Sequence, residues 1–171
     1  MDVLKEMKEM IFAVAVALIL YNAASLLFGT HVPVTAVVST SMEHTAQFGG
    51  WWTMKEREYS AFNVTKEEFL SYPYNEGMYV GDMVLVMNAT IRKGDVIVYH
   101  PATGCFDSVK TTDTIIHRVV STEPLLTKGD NNPGPDVKNG KSCIVSIEGK
   151  AVIGVPLLGY PRMLLFRMTG I

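Results

Sequence analysis

A long uncharged segment near the N-terminus is the feature that most constrains how this 171-residue chain can fold. From Met10 to Phe28 it reads MIFAVAVALILYNAASLLF, about 19 residues without an acidic or basic side chain. At about 1.5 Å per residue, a helix of this length is about 28 Å long, close to the thickness of a bilayer's hydrocarbon core. A cleaved signal peptide usually has a shorter apolar core, of about 7–15 residues. We therefore predict a transmembrane anchor over residues 10–28, with a cleaved signal peptide as the alternative.

The distribution of basic residues predicts the orientation of this anchor. Lys5 and Lys8 precede the apolar segment, and the next basic residue after it is Lys55. Because positively charged flanks tend to stay in the cytoplasm, residues 1–9 are predicted to be cytoplasmic and the main domain extracytoplasmic. The chain is thus expected in the cell membrane as a single-pass protein, with lipid as one partner.

The rest of the chain is long enough for one compact domain of roughly 100–150 residues. The net charge is −2, and no cluster of Lys and Arg interleaved with aromatic residues occurs, which argues against a nucleic-acid partner. Cysteine and histidine do not pair in a metal-binding pattern, so neither a metal nor another cofactor is predicted. The two cysteines, Cys105 and Cys143, either form a disulfide bond or are two buried thiols.

Short apolar segments separated by Gly-Asp turns predict a mainly β domain over residues 29–155. Segments such as Val96–Val98 are continuously apolar rather than alternating, which is typical of strands covered on both faces. A strand that carries Ser39 and Ser41 is expected directly after the anchor. The other predicted strands cover residues 83–86, 96–99, 114–120, 125–128 and 144–155, and the predicted loops cover residues 102–113 and 129–142.

Residues 46–80 differ in composition and are predicted to be an insertion. Gly49–Trp52 and Tyr72–Tyr74 are typical of loops, whereas Thr65–Glu68 matches a capping box and predicts a short helix. The aromatic rings of the insertion either lie at the membrane interface or form a small satellite core. The apolar C-terminal tail, residues 156–171, contains two prolines and two arginines, which predicts a surface-seeking end or the start of a further span.

A hydroxyl, a base and an acid suited to serine-protease chemistry occur in the predicted domain. Ser41 supplies a hydroxyl close to the membrane, and His117 can accept its proton because the reference pKa of histidine is near 6.5. Asp130 or Asp136 can then orient the histidine ring. Taken singly, each residue also has an ordinary interpretation, as a loop serine, a packed strand histidine or a turn-forming aspartate.

Taken in order, these residues and their neighbours closely resemble the type I signal peptidases over nearly the whole chain. The similar segments are Ser39–Thr45, Gly94–Tyr99, His117–Val120 and Lys128–Asn132, followed by Asp136. The similarity is to the archaeal and endoplasmic-reticulum branch, in which a histidine occupies the position of the catalytic lysine of bacterial relatives. The resemblance implies a signal-peptidase-like catalytic domain and a membrane-bound serine endopeptidase that removes N-terminal signal peptides from exported preproteins after small residues. It implies those preproteins as partners, and also translocation-machinery or accessory subunits.

The resemblance also implies roles for individual residues. Ser41 matches the nucleophile, His117 the general base and Asp136 the acid that orients the base, with Asp130 a second acid near the site. Ser39 matches the serine whose hydroxyl stabilises the oxyanion together with the Ser41 N–H group.

Three alternatives stay open at this point. His44 stands where the family often has proline and is a rival base, although neighbours on an extended strand usually point away from one another. Lys110 lies in a polar stretch and Lys128 in a Gly-Asp turn, so neither is expected to be desolvated as a serine–lysine mechanism requires. The chain can also be a membrane-anchored, β-rich binding or assembly module without turnover, although all four candidate catalytic residues are present.

Overall fold

The computed structural model describes residues 3–107 and 109–159. It begins with helix α1, Val3–Phe28, which contains the whole predicted anchor and continues through Lys5 and Lys8 towards the N-terminus. In the described part of the chain, α1 is the one helix that is long and apolar enough to cross a membrane. None of its side chains is buried against the rest of the described chain, so its apolar surface is exposed.

A six-stranded antiparallel sheet follows α1, so the predicted mainly β domain is confirmed. The strands are β1 Val34–Ala36, β2 Met83–Met87, β3 Val96–Pro101, β4 Ile115–Thr122, β5 Leu125–Lys128, β6 Val137–Lys138, β7 Lys141–Ser142 and β8 Ile144–Val155. Strand β8 lies in the middle and pairs with both β2 and β3, giving the order β1-β2-β8-β3-β4-β5. A small hairpin of β6 and β7 lies outside this sheet.

The observed strands agree with the predicted ones except at two places. Strand β1 ends at Ala36, so the prediction that Ser39 and Ser41 lie on a strand is wrong: they occupy a turn, in which the Glu43 N–H donates to the Thr40 carbonyl at 3.1 Å. The predicted loop 129–142 contains the β6–β7 hairpin. The continuously apolar segment of β3 is buried throughout Val96–Tyr99, as a strand covered on both faces should be.

The insertion, residues 46–80, carries helices α2, Phe48–Ser60, and α3, Lys66–Leu70. The capping box is confirmed, because the Thr65 hydroxyl accepts from the Glu68 N–H at 3.1 Å. The loop prediction for Gly49–Trp52 is wrong, since these residues form the first turns of α2. Packing of aromatic side chains outweighs the low helix propensity of glycine there.

The aromatic rings of the insertion form a satellite core rather than a membrane-facing surface. Trp51, Trp52, Tyr59 and Phe69 are each at most 3% exposed and pack together with Val64 and Val120. This core joins the insertion to strand β4, on which His117 lies.

A disulfide bond joins Cys105 and Cys143, which decides between the two alternatives for the cysteines. It ties the loop after β3 to the residue between β7 and β8. Of the predicted tail, residues 156–159 form a turn, and residues 160–171 lie outside the described residues.

Candidate active site

A line of hydrogen bonds joins the three residues to which the sequence resemblance assigns catalytic roles. His117 Nε2 lies 3.0 Å from Ser41 Oγ, and His117 Nδ1 lies 2.7 Å from Asp136 Oδ2. His117 and Asp136 are buried, at 3% and 5% exposure, whereas Ser41 is half-buried and reachable. The arrangement therefore places a hydroxyl at the edge of the fold and its base and acid behind it.

Three separate parts of the chain position these side chains. Ser41 lies in the turn after β1, and His117 lies on β4, opposite Ile97 of β3. Asp136 directly precedes β6, and its N–H donates to the Thr127 carbonyl at 2.7 Å. Its carbonyl accepts from the Cys143 N–H at 2.9 Å, so the disulfide-linked segment helps to fix the acid.

Tyr99 is a further hydrogen-bonding partner of Asp136 and helps to define which atoms of Asp136, His117 and Ser41 donate and which accept. Its hydroxyl lies 3.0 Å from the same Asp136 Oδ2 that faces His117. Burial raises the pKa of Tyr99, and the negative charge of Asp136 raises it further, so the phenol keeps its proton and donates. Since an ionised carboxylate only accepts, His117 Nδ1 carries the ring proton, and Nε2 is left to accept from the Ser41 hydroxyl.

Ser39 lies beside Ser41. Its Oγ is 3.1 Å from Ser41 Oγ, and its side chain is exposed. Within the described residues, no group accepts a hydrogen bond from the Ser41 N–H. The Ser39 hydroxyl thus lies next to Ser41 Oγ, and the Ser41 N–H is not engaged by a described acceptor, as donors to an oxyanion must be.

Asp130 occupies a different position from Asp136. It is fully buried, and its two oxygens accept from Arg118 Nε and Nη2 at 2.8 Å each. The Tyr59 hydroxyl donates to it at 2.7 Å. Burial alone raises the pKa of Asp130, but the Arg118 charge and the hydrogen bonds outweigh burial and hold it well below its usual range. The structure places Asp136, not Asp130, on His117.

His44, the rival base, is turned towards Asp130. Its Nε2 lies 3.0 Å from Asp130 Oδ2, and its ring stacks on Trp51 with centroids 3.6 Å apart. The ring nitrogen within hydrogen-bonding distance of Ser41 Oγ belongs to His117.

The prediction that the Lys128 amine is exposed to solvent is wrong. The Lys128 side chain is fully buried, with Nζ 2.9 Å from Glu58 and 4.8 Å from the centre of the Tyr59 ring. Burial lowers its pKa, and the opposing charge of Glu58 limits that decrease. This burial has no local signal in the sequence, because the residues of α2 that cover the lysine belong to the distant insertion. The amine is directed to Glu58 and to the carbonyls of Gly129 and Asp130.

Two neighbours of the site were not recognised from the sequence. A Cβ on Gly129 would lie 2.8 Å from His117 Nε2 and 2.8 Å from the Ser41 carbonyl oxygen, so only glycine fits without displacement. Asn131 donates to the Ser41 carbonyl through its N–H at 2.8 Å and to the Thr40 carbonyl through its side-chain amide at 3.2 Å. The Gly-Asp-Asn pattern was the available signal, but it is also typical of a turn.

Among the described residues, no group of three or more His, Cys, Asp or Glu side chains is placed to hold a metal ion. Neither a scan against models of known protein families nor a search of curated proteins finds a match to this chain. Any functional assignment therefore depends on the geometry of the site and on the sequence resemblance.

Proposed function

We propose that this chain is a membrane-bound serine endopeptidase of the signal peptidase type, which removes N-terminal signal peptides from exported preproteins after small residues. The observation that carries the proposal is the Ser41–His117–Asp136 line, with hydrogen-bonding distances of 3.0 and 2.7 Å. Nucleophile, base and orienting acid must meet in this way for a serine to attack a peptide bond.

In the proposed reaction, Ser41 Oγ attacks the scissile carbonyl carbon while His117 Nε2 takes the hydroxyl proton. Asp136 stabilises the resulting imidazolium, and Tyr99 holds the carboxylate in place. The Ser41 N–H and the Ser39 hydroxyl stabilise the oxyanion of the tetrahedral intermediate. His117 then protonates the leaving amine, and a water molecule activated by the same ring hydrolyses the acyl-enzyme.

The surroundings of the site are consistent with a membrane-associated peptide substrate. Strand β1 ends three residues before Ser39. An extended peptide can add to an exposed strand edge through backbone hydrogen bonds, and we expect such pairing to bring the scissile bond next to Ser41. Shallow pockets beside that edge would then select small side chains.

The anchor and the disulfide bond support the proposed location. Helix α1 would hold the enzyme in the bilayer that also contains the apolar segment of a signal peptide. A disulfide bond between Cys105 and Cys143 is stable in an oxidising compartment, which favours an extracytoplasmic catalytic domain and a cytoplasmic N-terminus.

The test is cleavage of a preprotein by the full-length protein in detergent. Its signal peptide should end in an Ala-x-Ala site, and the variants are Ser41→Ala and His117→Ala, with Ser71→Ala as a control. Ser71 is exposed and caps α3, so its loss should leave turnover unchanged. Each active-site variant should lose at least about 10⁴-fold in kcat while remaining folded.

Two results would change the proposal. Full turnover by Ser41→Ala would end the serine-protease mechanism, and absence of Ser41-dependent cleavage in the wild type would favour a non-catalytic binding module. Activity that survives in His117→Ala and is lost in His44→Ala would transfer the role of base to His44.

A further inference from the structure

One face of helix α2 contacts residues 128–131, a short segment that also contacts the backbone of Ser41. Lys55 Nζ donates to the Asn131 carbonyl at 2.9 Å, and the Tyr59 hydroxyl donates to Asp130 Oδ1 at 2.7 Å. Glu58, between them in sequence, forms an ion pair with Lys128 at 2.9 Å. Residues three and four apart share one helix face, so these three side chains hold residues 128–131 together from one side. We call these bonds the α2 contacts.

Residues 128–131 in turn hold the backbone of the proposed nucleophile, Ser41. The Asn131 N–H donates to the Ser41 carbonyl at 2.8 Å, and the Asn131 side-chain amide donates to the Thr40 carbonyl at 3.2 Å. The Thr40 carbonyl and the Ser41 N–H belong to one trans peptide unit and point in opposite directions. Fixing the carbonyl towards Asn131 therefore directs the Ser41 N–H away from Asn131.

A second route from α2 reaches the same segment. Trp51 stacks on His44 with an angle of 9° between the ring planes, and His44 Nε2 lies 3.0 Å from Asp130 Oδ2. Asp130 is also held by Arg118 and is fully buried, so its position is closely defined. The segment between α2 and Ser41 thus has little freedom to shift on its own.

We propose that α2 is a positioning element for catalysis, in which Tyr59 and Lys55 act through residues 130 and 131 to aim the Ser41 N–H at the oxyanion. This inference rests on the proposed function. Tyr59 and Lys55 are positioning residues, because they touch neither the nucleophile nor its base. The oxyanion forms only as the reaction proceeds, so weakening the α2 contacts lowers kcat and leaves KM unchanged.

The test compares two single-hydroxyl deletions in the insertion of the full-length protein. Tyr59→Phe removes the donor to Asp130. The control Tyr72→Phe removes a donor to Glu68, which takes no part in the α2 contacts. Tyr59→Phe should lower kcat about tenfold at unchanged KM, and Tyr72→Phe should change neither. Lys55→Met, which removes the donor to Asn131, should act in the same direction as Tyr59→Phe.

Binding of a peptide aldehyde that ends in alanine reports on the oxyanion directly. The aldehyde forms a hemiacetal with the nucleophilic serine, and its oxygen then occupies the oxyanion position. Tyr59→Phe should weaken aldehyde binding by the same factor by which it lowers kcat/KM. Thermal unfolding should be measured alongside, because a merely structural role would lower the melting temperature of Tyr59→Phe without changing kcat or aldehyde affinity.

Amide hydrogen exchange gives a readout that does not depend on turnover. Glu43 and Asn131 donate their N–H groups to the carbonyls of Thr40 and Ser41, so both amides report on the held backbone. Exchange at these two amides should rise in Tyr59→Phe and stay at the wild-type level in Tyr72→Phe. Equal exchange and equal kinetics in the two variants would overturn the proposal. The wild type could also show no Ser41-dependent cleavage while amide exchange is faster in Tyr59→Phe. This result would refute the proposed function but would still show that α2 holds the backbone around Ser41.

Discussion

Replacement of Gly129 by alanine should disable the site while leaving the fold largely intact. The added Cβ would lie 2.7 Å from Asn132 Nδ2 and 2.8 Å from both His117 Nε2 and the Ser41 carbonyl oxygen. Ordinary contact begins at 3.4 Å, so His117 and Ser41 would each have to move away by about 0.6 Å. These two residues are the proposed base and the proposed nucleophile. A misplacement approaching 1 Å can cost about 100-fold in rate, so we expect kcat to fall about 10- to 100-fold, or about 1.4–2.7 kcal/mol.

Gly134→Ala is the matched control, because it lies in the same loop and its added Cβ would meet no atom within 4 Å. Neither glycine has a backbone conformation that excludes alanine, so the comparison isolates the steric effect. The assay is preprotein cleavage together with thermal unfolding. Gly129→Ala should cost about 1–3 kcal/mol of folding free energy through overpacking. Wild-type turnover in Gly129→Ala, or equal damage in Gly134→Ala, would refute the reasoning.

Three further predictions concern the two acids, Asp136 and Asp130. Asp136→Asn should lower kcat about 10⁴-fold with little loss of stability, because an amide facing His117 favours the wrong tautomer. Asp130→Asn should mainly destabilise, by about 3–5 kcal/mol, because it leaves the charge of Arg118 buried and unpaired; a larger kcat effect at Asp130 would exchange the two roles. Since the pKa of Asp130 is lowered on folding, its stabilisation is fully present above about pH 4 and is lost as the pH falls through the lowered value. The difference in unfolding free energy between wild type and Asp130→Asn should therefore narrow between about pH 4 and pH 2, and a constant difference would contradict this assignment.

Local patterns were sufficient for most of the secondary structure. Five predicted strands occur within one or two residues of their expected bounds, and Thr65 caps its helix as the capping box predicts. The prediction failed at Gly49–Trp52, where a helix forms despite two glycines. Its stability comes from burial of Trp51 and Trp52 against distant residues, which no local pattern contains.

The sequence by itself determined an apolar helix long enough to cross a membrane, the mainly β domain and a short set of candidate residues, because apolar length, strand patterns and residue type are local properties. Only the tertiary structure decided how the candidates pair. Ser41 and His117 are 76 positions apart, and His44 and Asp130 are 86 apart, yet each pair lies 3.0 Å apart in space. Sheet register and the packing of α2 bring them together. The same packing turns His44 towards Asp130, leaves Asp136 for His117, and buries Lys128 beneath a helix that the sequence alone gave no reason to place there.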